Sequence, residues 1–142
     1  MELNSFNLRV YGLLIHDDHV LITHERRSGV EMTKFPGGGL EFGEGIKDCL
    51  KREFQEELEI EIEVKDFYFV NDFLQISAYR GSDQLISFYY KVESNELNKI
   101  VTEKKRTLGF NEQIFEWIPI TALKVEEFTF PIDKKVVEML IA

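Results

Sequence analysis

Residues 38–60 of this chain read GGLEFGEGIKDCLKREFQEELEI, and they predict a helix that begins near Gly45 and ends in a dense cluster of glutamates. At 3.6 residues per turn, one face of that helix carries Ile46, Cys49, Leu50, Glu53 and Glu57. Because the first three are apolar, this face should be buried against the rest of the protein. Solvated acids would lie on the opposite face, since a buried carboxylate without a partner is costly.

The glutamates on this face need a counter-charge. Glu56 can pair with Arg52 at four-residue spacing. No comparable partner is in helical reach of Glu53 or Glu57. Carboxylates at i, i+3 and i+4 converge on one point, and the simplest compensation is a hard divalent cation with oxygen ligands, Mg²⁺ or Mn²⁺. The alternative is a solvated acidic helix end that binds nothing.

A run of three glycines, 37–39, precedes the helix. Successive glycines let backbone N–H groups turn toward an anion and form a concave nest. A glycine loop beside a carboxylate-bound metal would suit a polyphosphate. The alternative for the glycines on their own is an ordinary turn.

The segment resembles the signature of the Nudix hydrolases. That signature is a glycine, five residues, a glutamate, seven residues and then Arg-Glu-apolar-any-Glu-Glu-any-Gly-apolar. The matching positions are Gly38, Glu44, Arg52, Glu53, Phe54, Glu56, Glu57 and Ile60. Glu59 is the one departure, because the family usually has a glycine there that ends the helix. This departure affects the expected turn after the helix and does not affect the glutamates of the signature.

The resemblance implies a hydrolase that acts on a nucleoside diphosphate linked to another moiety and that needs Mg²⁺ or Mn²⁺. It assigns metal binding to Glu53, Glu56 and Glu57. Arg52 would orient a glutamate through a charge-assisted hydrogen bond, a role that lysine fills less well. Glu44 would be an outer ligand or a partner of the helix N-terminus.

Phosphate contacts are expected from two places. Gly38 and Gly39 should offer backbone groups to a phosphate or to the hydration shell of the metal. Residues 26–34 are polar and predict a loop before the glycine run, in which Arg26 and Arg27 are candidates for phosphate contact. A solvated loop is the alternative for these charges.

The general base stays open between two glutamates. Nudix enzymes use either a glutamate of the signature, here Glu53, or one from a later loop. Glu112 is the best placed of the later acids, because it closes the long segment 94–111 and opens the strand that leads to Trp117. The alternative for Glu112 is a solvated acid at a strand end.

A MutT-type nucleoside triphosphate pyrophosphohydrolase is the expected activity, with a small nucleotide or nucleoside diphosphate derivative as partner. The ADP-ribose group of the family carries a proline downstream of the signature, and this chain has none between Pro36 and Pro119. Phe35, Tyr68 or Phe73 could stack on a base, with core packing as the alternative. A non-catalytic nucleotide-sensing or interaction domain is the second function class.

Length and charge set further limits. With 142 residues, a single domain over 1–142 is expected. The net charge of −9 argues against duplex nucleic acid and anionic membranes as partners. The one cysteine, the lack of a signal-like N-terminus and the lack of a membrane-length apolar run favour a reduced, cytoplasmic protein. Family members are often dimers, so a homodimer is compatible with the resemblance.

The rest of the pattern predicts an α+β fold. Strand-like stretches lie at 7–15, 20–24, 60–64, 67–78, 84–92 and 114–119. Turns are predicted at 17–18 and 80–83, and a final helix runs from Pro131 through Ile141. The Nudix resemblance sharpens this to an α/β/α sandwich with a mixed central β-sheet.

Overall fold

The computed structural model describes residues 2–142, so Met1, the first residue of the predicted domain, lies outside the described residues. The strands of residues 2–142 are β1 (Ser5–His16), β2 (His19–Arg27), β3 (Val30–Lys34), β4 (Gly37–Gly39), β5 (Glu63–Val70), β6 (Asp83–Glu93) and β7 (Gln113–Pro119). The helices are α1 (Ile46–Leu58) and α2 (Pro131–Ile141), with short 3-10 turns at Leu97–Lys99, Ile120–Ala122 and Val125–Glu127. None of the helices in this part of the chain is long and apolar enough to cross a membrane.

The sheet is built around β1. β6 runs parallel to β1, while β4 and β2 pair with it antiparallel. The strand order is β3-β2-β1-β6-β5, with β4 added to β1 and β7 added to β2. Parallel and antiparallel pairs therefore occur in one sheet, which confirms the predicted mixed sheet.

The two helices cover opposite faces of that sheet. Successive side chains of a strand point to opposite faces, so β1 supplies apolar residues to both. On one face, α1 residues Cys49, Leu50, Phe54 and Leu58 pack with Val10 and Leu14. On the other face, α2 residues Ile132, Val136 and Val137 pack with Leu13 and Val20. This arrangement confirms the α/β/α sandwich.

Several predicted boundaries hold closely. The strands predicted at 7–15, 20–24, 84–92 and 114–119 correspond to β1, β2, β6 and β7, and α2 begins at Pro131. The β1–β2 turn lies at Asp17 and Asp18, both with positive φ (49° and 59°). The 80–83 turn is closed by the Asp83 N–H, which donates to the Arg80 carbonyl at 2.8 Å.

The predicted loop over 26–34 is wrong. β2 continues to Arg27, and β3 returns from Val30 after a turn at Ser28 and Gly29, which have φ of 50° and 80°. β3 ends the sheet order, and an edge strand can carry polar side chains that a central strand would not. The polar composition of this stretch therefore predicted a loop where the chain forms a hairpin.

The glycine run is also not a loop, because Gly37–Gly39 form β4 and pair with Arg9–Tyr11 of β1.

The strand predicted over 67–78 is too long. β5 ends at Val70, and after it the side chain of Asn71 forms hydrogen bonds with backbone groups of neighbouring residues. Its amide donates to the carbonyls of Phe73 and Leu85 at 3.0 Å, and its Oδ1 accepts from the Ser87 N–H at 2.9 Å.

The strand predicted over 60–64 is only partly present. Ile60 and Ile62 are buried in the α1 core, as the alternating pattern predicts, but regular pairing starts at Glu63. Residues 63–70 therefore form one strand where the sequence predicted two.

The end of α1 is strained at the position where the signature departs. Glu59 adopts the left-handed conformation, with φ 55° and ψ 37°, and its N–H donates to the Gln55 carbonyl. Glycine enters this region without steric cost, whereas a residue with a Cβ pays about 1–2 kcal/mol. The turn at the position where the signature has glycine is thus formed here by a glutamate.

Glu59→Gly should stabilise the protein by roughly 0.5–1 kcal/mol, because relief of the left-handed strain exceeds the extra chain entropy of glycine. Urea unfolding monitored by circular dichroism measures the change. Glu59→Ala is the matched control, since alanine removes the carboxylate but keeps the Cβ. Equal stability of the two variants would show that the turn is unstrained.

Candidate active site

A cleft of about 590 Å³ opens beside the glutamate-bearing end of α1. Its walls come from β1, the β2–β3 hairpin, β4, β6, the end of α1, the segment 75–80 and the start of α2. Glu53 and Glu57 reach it from α1, as the helical spacing predicts. Glu56 is exposed and is not part of the wall.

Gly38 lets α1 approach β4 closely. A Cβ at this position would lie 2.4 Å from Cδ of Glu53, which is closer than atoms of this kind can be packed. The glutamate side chain therefore lies directly against the β4 backbone. A Cβ at Gly39 would meet only a guanidinium nitrogen of Arg9, at 3.4 Å. Gly38 thus makes room for a carboxylate, a role that the glycine pattern alone does not indicate.

Arg52 binds the carboxylates of this region together. It donates to both oxygens of Glu44, at 3.0 and 2.8 Å, and to Glu53 and Glu56 at 3.0 and 3.2 Å. It also donates to the Gly39 carbonyl at 3.0 Å. The hydrogen bonds from Arg52, with one from the Glu41 N–H, lower the pKa of Glu44 to about 2. Glu53, for which the helical spacing offers no partner, thus has one in the adjacent residue.

Glu57 has one bonded oxygen and one that is not bonded. Oε1 accepts from the Gln113 amide at 3.1 Å. Oε2 is buried and, within residues 2–142, has no hydrogen-bond partner. Burial raises the pKa of Glu57, and the bond from Gln113 and the charge of Lys34 oppose that shift. An unpaired buried carboxylate oxygen is rare in proteins, because its desolvation is not compensated.

The helical spacing predicts that Glu53, Glu56 and Glu57 converge on one point, and in the structure they do not. No three His, Cys, Asp or Glu side chains of residues 2–142 are placed to hold a metal together. The physical reason is Arg52, which attracts Glu53 and Glu56. The donor chemistry still fits a hard divalent cation, because Glu57 has a buried oxygen without a partner. The negative charge of Glu53 is also near enough to raise the pKa of Glu57.

Only one of the two predicted phosphate-binding arginines reaches the cleft. Arg27 lines it, whereas Arg26 donates to the Leu108 carbonyl at 3.0 Å and lies outside the lining. Adjacent residues of β2 point to opposite faces, so both could not face the same ligand. Arg9 was not among the predicted site residues, although it lines the cleft and donates to the Tyr11 hydroxyl at 3.0 Å. An arginine inside the apolar strand was the available signal.

Asp133 is a second residue that the sequence reading missed. It lines the cleft from the first turn of α2 and is only 2% exposed. The Tyr89 hydroxyl donates to its Oδ1 at 2.5 Å. Burial raises the pKa of Asp133 to about 7, against the hydrogen bond from Tyr89 and the charges of Lys34 and Arg9. This carboxyl group therefore changes charge near neutral pH.

The structure does not bring Glu112 together with the glutamates of α1. Its carboxylate is held at the surface by Arg106, with Nη1 to Oε1 at 3.0 Å, and by the Gly109 N–H at 2.9 Å. These bonds lower the pKa of Glu112 to about 2. Its neighbour Gln113 is the residue that contacts Glu57.

The aromatic residues of the cleft are not those that the sequence suggested. Phe35 is fully buried and stacks on Phe128 in the core. Tyr68 and Phe73 are not part of the cleft wall. The wall instead carries Tyr79 and Phe130, whose rings meet edge to face at 6.0 Å.

Comparison with known proteins places this geometry in a family. The sequence profile of the NUDIX domain matches residues 6–140. The chain therefore belongs to the Nudix hydrolase family. A search of curated proteins found no match.

Solved structures with a similar fold include proteins named NUDIX hydrolase or MutT. A NUDIX hydrolase from Nitrosomonas europaea is 21% identical, with a TM-score of 0.69 over 94% of this chain and 86% of that chain. A MutT NUDIX hydrolase from Burkholderia pseudomallei is 16% identical, with a TM-score of 0.69 over 95% and 97%. A MutT protein from Methanosarcina mazei Go1 is 16% identical, with a TM-score of 0.67 over 99% and 95%. At these identities the likeness shows the fold alone.

Asp133→Asn should remove a pH dependence of stability. Because the folded pKa of about 7 lies above the ordinary value of 3.8, the wild type loses stability as pH rises from about 4 through 7. The variant should be more stable than wild type by roughly 2–4 kcal/mol at pH 8 and close to wild type at pH 4.

Thermal unfolding across this pH range measures the difference. Asp48→Asn is a matched control, since Asp48 holds the same third position of α1 but is exposed. A stability difference for Asp133→Asn that does not change with pH would contradict the assignment.

Proposed function

We propose that this protein is an Mg²⁺- or Mn²⁺-dependent hydrolase of a nucleoside diphosphate linked to another moiety, with nucleoside triphosphates as its first candidate substrates. The observation that carries the proposal is the buried, unpaired oxygen of Glu57, in a cleft that is also lined by Glu53 and by basic side chains. Membership of the Nudix family supports the reaction class. The reaction adds water to one phosphorus and breaks a phosphoanhydride bond, and the leaving group departs as a phosphate or diphosphate.

Glu53, Glu56 and Glu57 are the proposed metal ligands. When bound, the cation would offset the negative charge that develops on the phosphates. Glu57 needs no rearrangement, because one of its oxygens is already unpaired. Glu56 would have to leave Arg52, to which it is joined at 3.2 Å. Arg52 would still be held by the bidentate bond to Glu44, so the exchange would not leave the guanidinium unpaired.

The proposed general base is Glu53, which would accept the proton of the attacking water. Its carboxylate lies in the cleft, and a hydrogen bond from Arg52 Nη1 at 3.0 Å holds its orientation. Glu112 is the alternative base, but Arg106 and the Gly109 N–H occupy its oxygens. A base must come within hydrogen-bond reach of the water, and position favours Glu53.

The cleft also offsets the charge of the substrate. The protein carries a net charge of −9, so a polyphosphate is repelled at a distance. The cleft wall nevertheless contains Arg9, Arg27, Lys34 and Arg80. Gly38, next to Glu53, and Gly39, next to Arg9, also line the cleft, where their backbone could meet a phosphate or the hydration shell of the metal. Local attraction at short range would thus replace long-range steering.

Glu57→Gln tests the proposed metal site. A panel of nucleoside triphosphates, nucleotide sugars and dinucleoside polyphosphates with Mg²⁺ or Mn²⁺, assayed for phosphate and diphosphate release, should give turnover for the wild type. The variant should lose roughly 100-fold or more, because several kcal/mol of charge stabilisation disappear. It should also bind Mn²⁺ more weakly in a titration followed by electron paramagnetic resonance.

Glu138→Gln, at an exposed helical glutamate of α2, controls for the loss of one charge. Wild-type activity that persists in excess EDTA, or in Glu57→Gln, would contradict the metal site. Nucleotide binding without any hydrolysis would support a sensing domain instead.

Gly38→Ala should displace Glu53 with little effect on folding. The new methyl group takes the position of the Glu53 carboxylate, which can rotate away because it is the end of a flexible side chain. Turnover should fall by about 100-fold while the melting temperature changes little. Gly39→Ala is the control, since its new methyl would meet only Arg9 at 3.4 Å. Equal activity of the two variants would show that the position of Glu53 against β4 is not required.

A further inference from the structure

The β2–β3 hairpin carries a buried ion pair in the wall of the cleft. Lys34 Nζ lies 2.8 Å from Glu25 Oε1, and the two side chains are 9% and 5% exposed. Both residues line the cleft. Neither belongs to the glycine–glutamate signature around α1. The function proposed above counts Lys34 among the cations of the cleft wall but gives the pair no specific task.

The pair is a poor choice for stability alone. Taking both charges out of water costs several kcal/mol per ion, and apolar residues of similar size are often as stable. Glu25 is fully engaged, since its other oxygen lies 3.3 Å from Arg27 Nε. Lys34 is not, because among residues 2–142 its ammonium has Glu25 as its one ion-pair partner and carries three N–H groups. Two donors therefore remain for a ligand.

The charge of Lys34 also acts on carboxyl groups of both helices that border the cleft. Its charge acts on Glu57 at the end of α1 and on Asp133 at the start of α2, lowering the pKa of each against the effect of burial. Burial alone would lower the pKa of Lys34, but Tyr11 and Glu25 outweigh it and the ammonium stays charged. A ligand in the cleft thus meets an ammonium group that is buried and held by Glu25.

We propose that Lys34, held in place by Glu25, binds a phosphate group of the ligand in this cleft. The idea rests on the proposed function in so far as the ligand is a phosphoanhydride. Lys34 would donate its two free N–H groups to phosphate oxygens, and Glu25 would keep the ammonium pointing into the cleft. Arg27 is 60% exposed at the mouth and holds its oxygen partner less tightly, so it contributes less.

The test compares three variants by calorimetric titration with inorganic pyrophosphate, with and without Mg²⁺, and by thermal unfolding. Lys34→Met removes the ammonium but leaves Glu25 buried without it, so this variant should be less stable. The double variant Lys34→Met/Glu25→Gln removes both charges and should regain stability. The matched control is Lys65→Met/Glu63→Gln, an exposed pair of β5 at 2.7 Å outside the cleft.

The proposal expects pyrophosphate to bind the double variant about 10- to 100-fold more weakly than wild type, with the control unchanged. Wild-type affinity in the folded double variant would overturn it and leave the pair a structural role. Absence of pyrophosphate binding to the wild type in both conditions would overturn it as well.

The outcomes also separate this proposal from the proposed function. If the wild type hydrolyses nothing in the substrate panel but binds pyrophosphate through Lys34, the function fails and the binding site stands. If nucleotides are hydrolysed and the double variant keeps the wild-type KM, the function stands and the binding site fails.

Discussion

The close approach of α1 to β4 is the constraint on which the candidate site depends. A residue with a Cβ at position 38 would collide with Glu53, so the helix can present this carboxylate to the cleft only across a glycine. The same approach brings the Gly39 carbonyl within 3.0 Å of Arg52, which then gathers Glu44, Glu53 and Glu56. A backbone contact between two elements thus sets the positions of four charged side chains.

The proposed anionic ligand would have to bind to an acidic protein. A net charge of −9 gives no long-range attraction, and the cations of the cleft wall have acidic or polar partners within the protein. Arg27 and Lys34 share Glu25, and Arg9 is joined to Tyr11. In the buried pair with Glu25, Lys34 is held in place and shielded from water, which would make its interaction with a phosphate stronger than that of a solvated lysine.

The sequence predicted those parts of the fold and site in which local pattern and tertiary role agree. The face of α1, its start after Gly45 and the start of α2 at Pro131 follow from periodicity and end signals, and the structure has them. The hairpin at 26–34 was missed because an edge strand tolerates polar residues. The end of β5 was missed because Asn71 replaces ladder bonds with side-chain bonds, which no propensity describes.

The same distinction explains which site residues were found. Glu53 and Glu57 are separated by four positions on one helix, so spacing alone brings them together. Arg9, Glu25 and Asp133 reach the cleft from β1, β2 and α2, and only the sheet topology makes them neighbours. A strand-borne arginine and a buried aspartate in a first helical turn are each unremarkable in one dimension. The basic wall of the cleft and Asp133 therefore come from residues far apart in the chain, while the glutamates proposed to bind the metal lie on one helix.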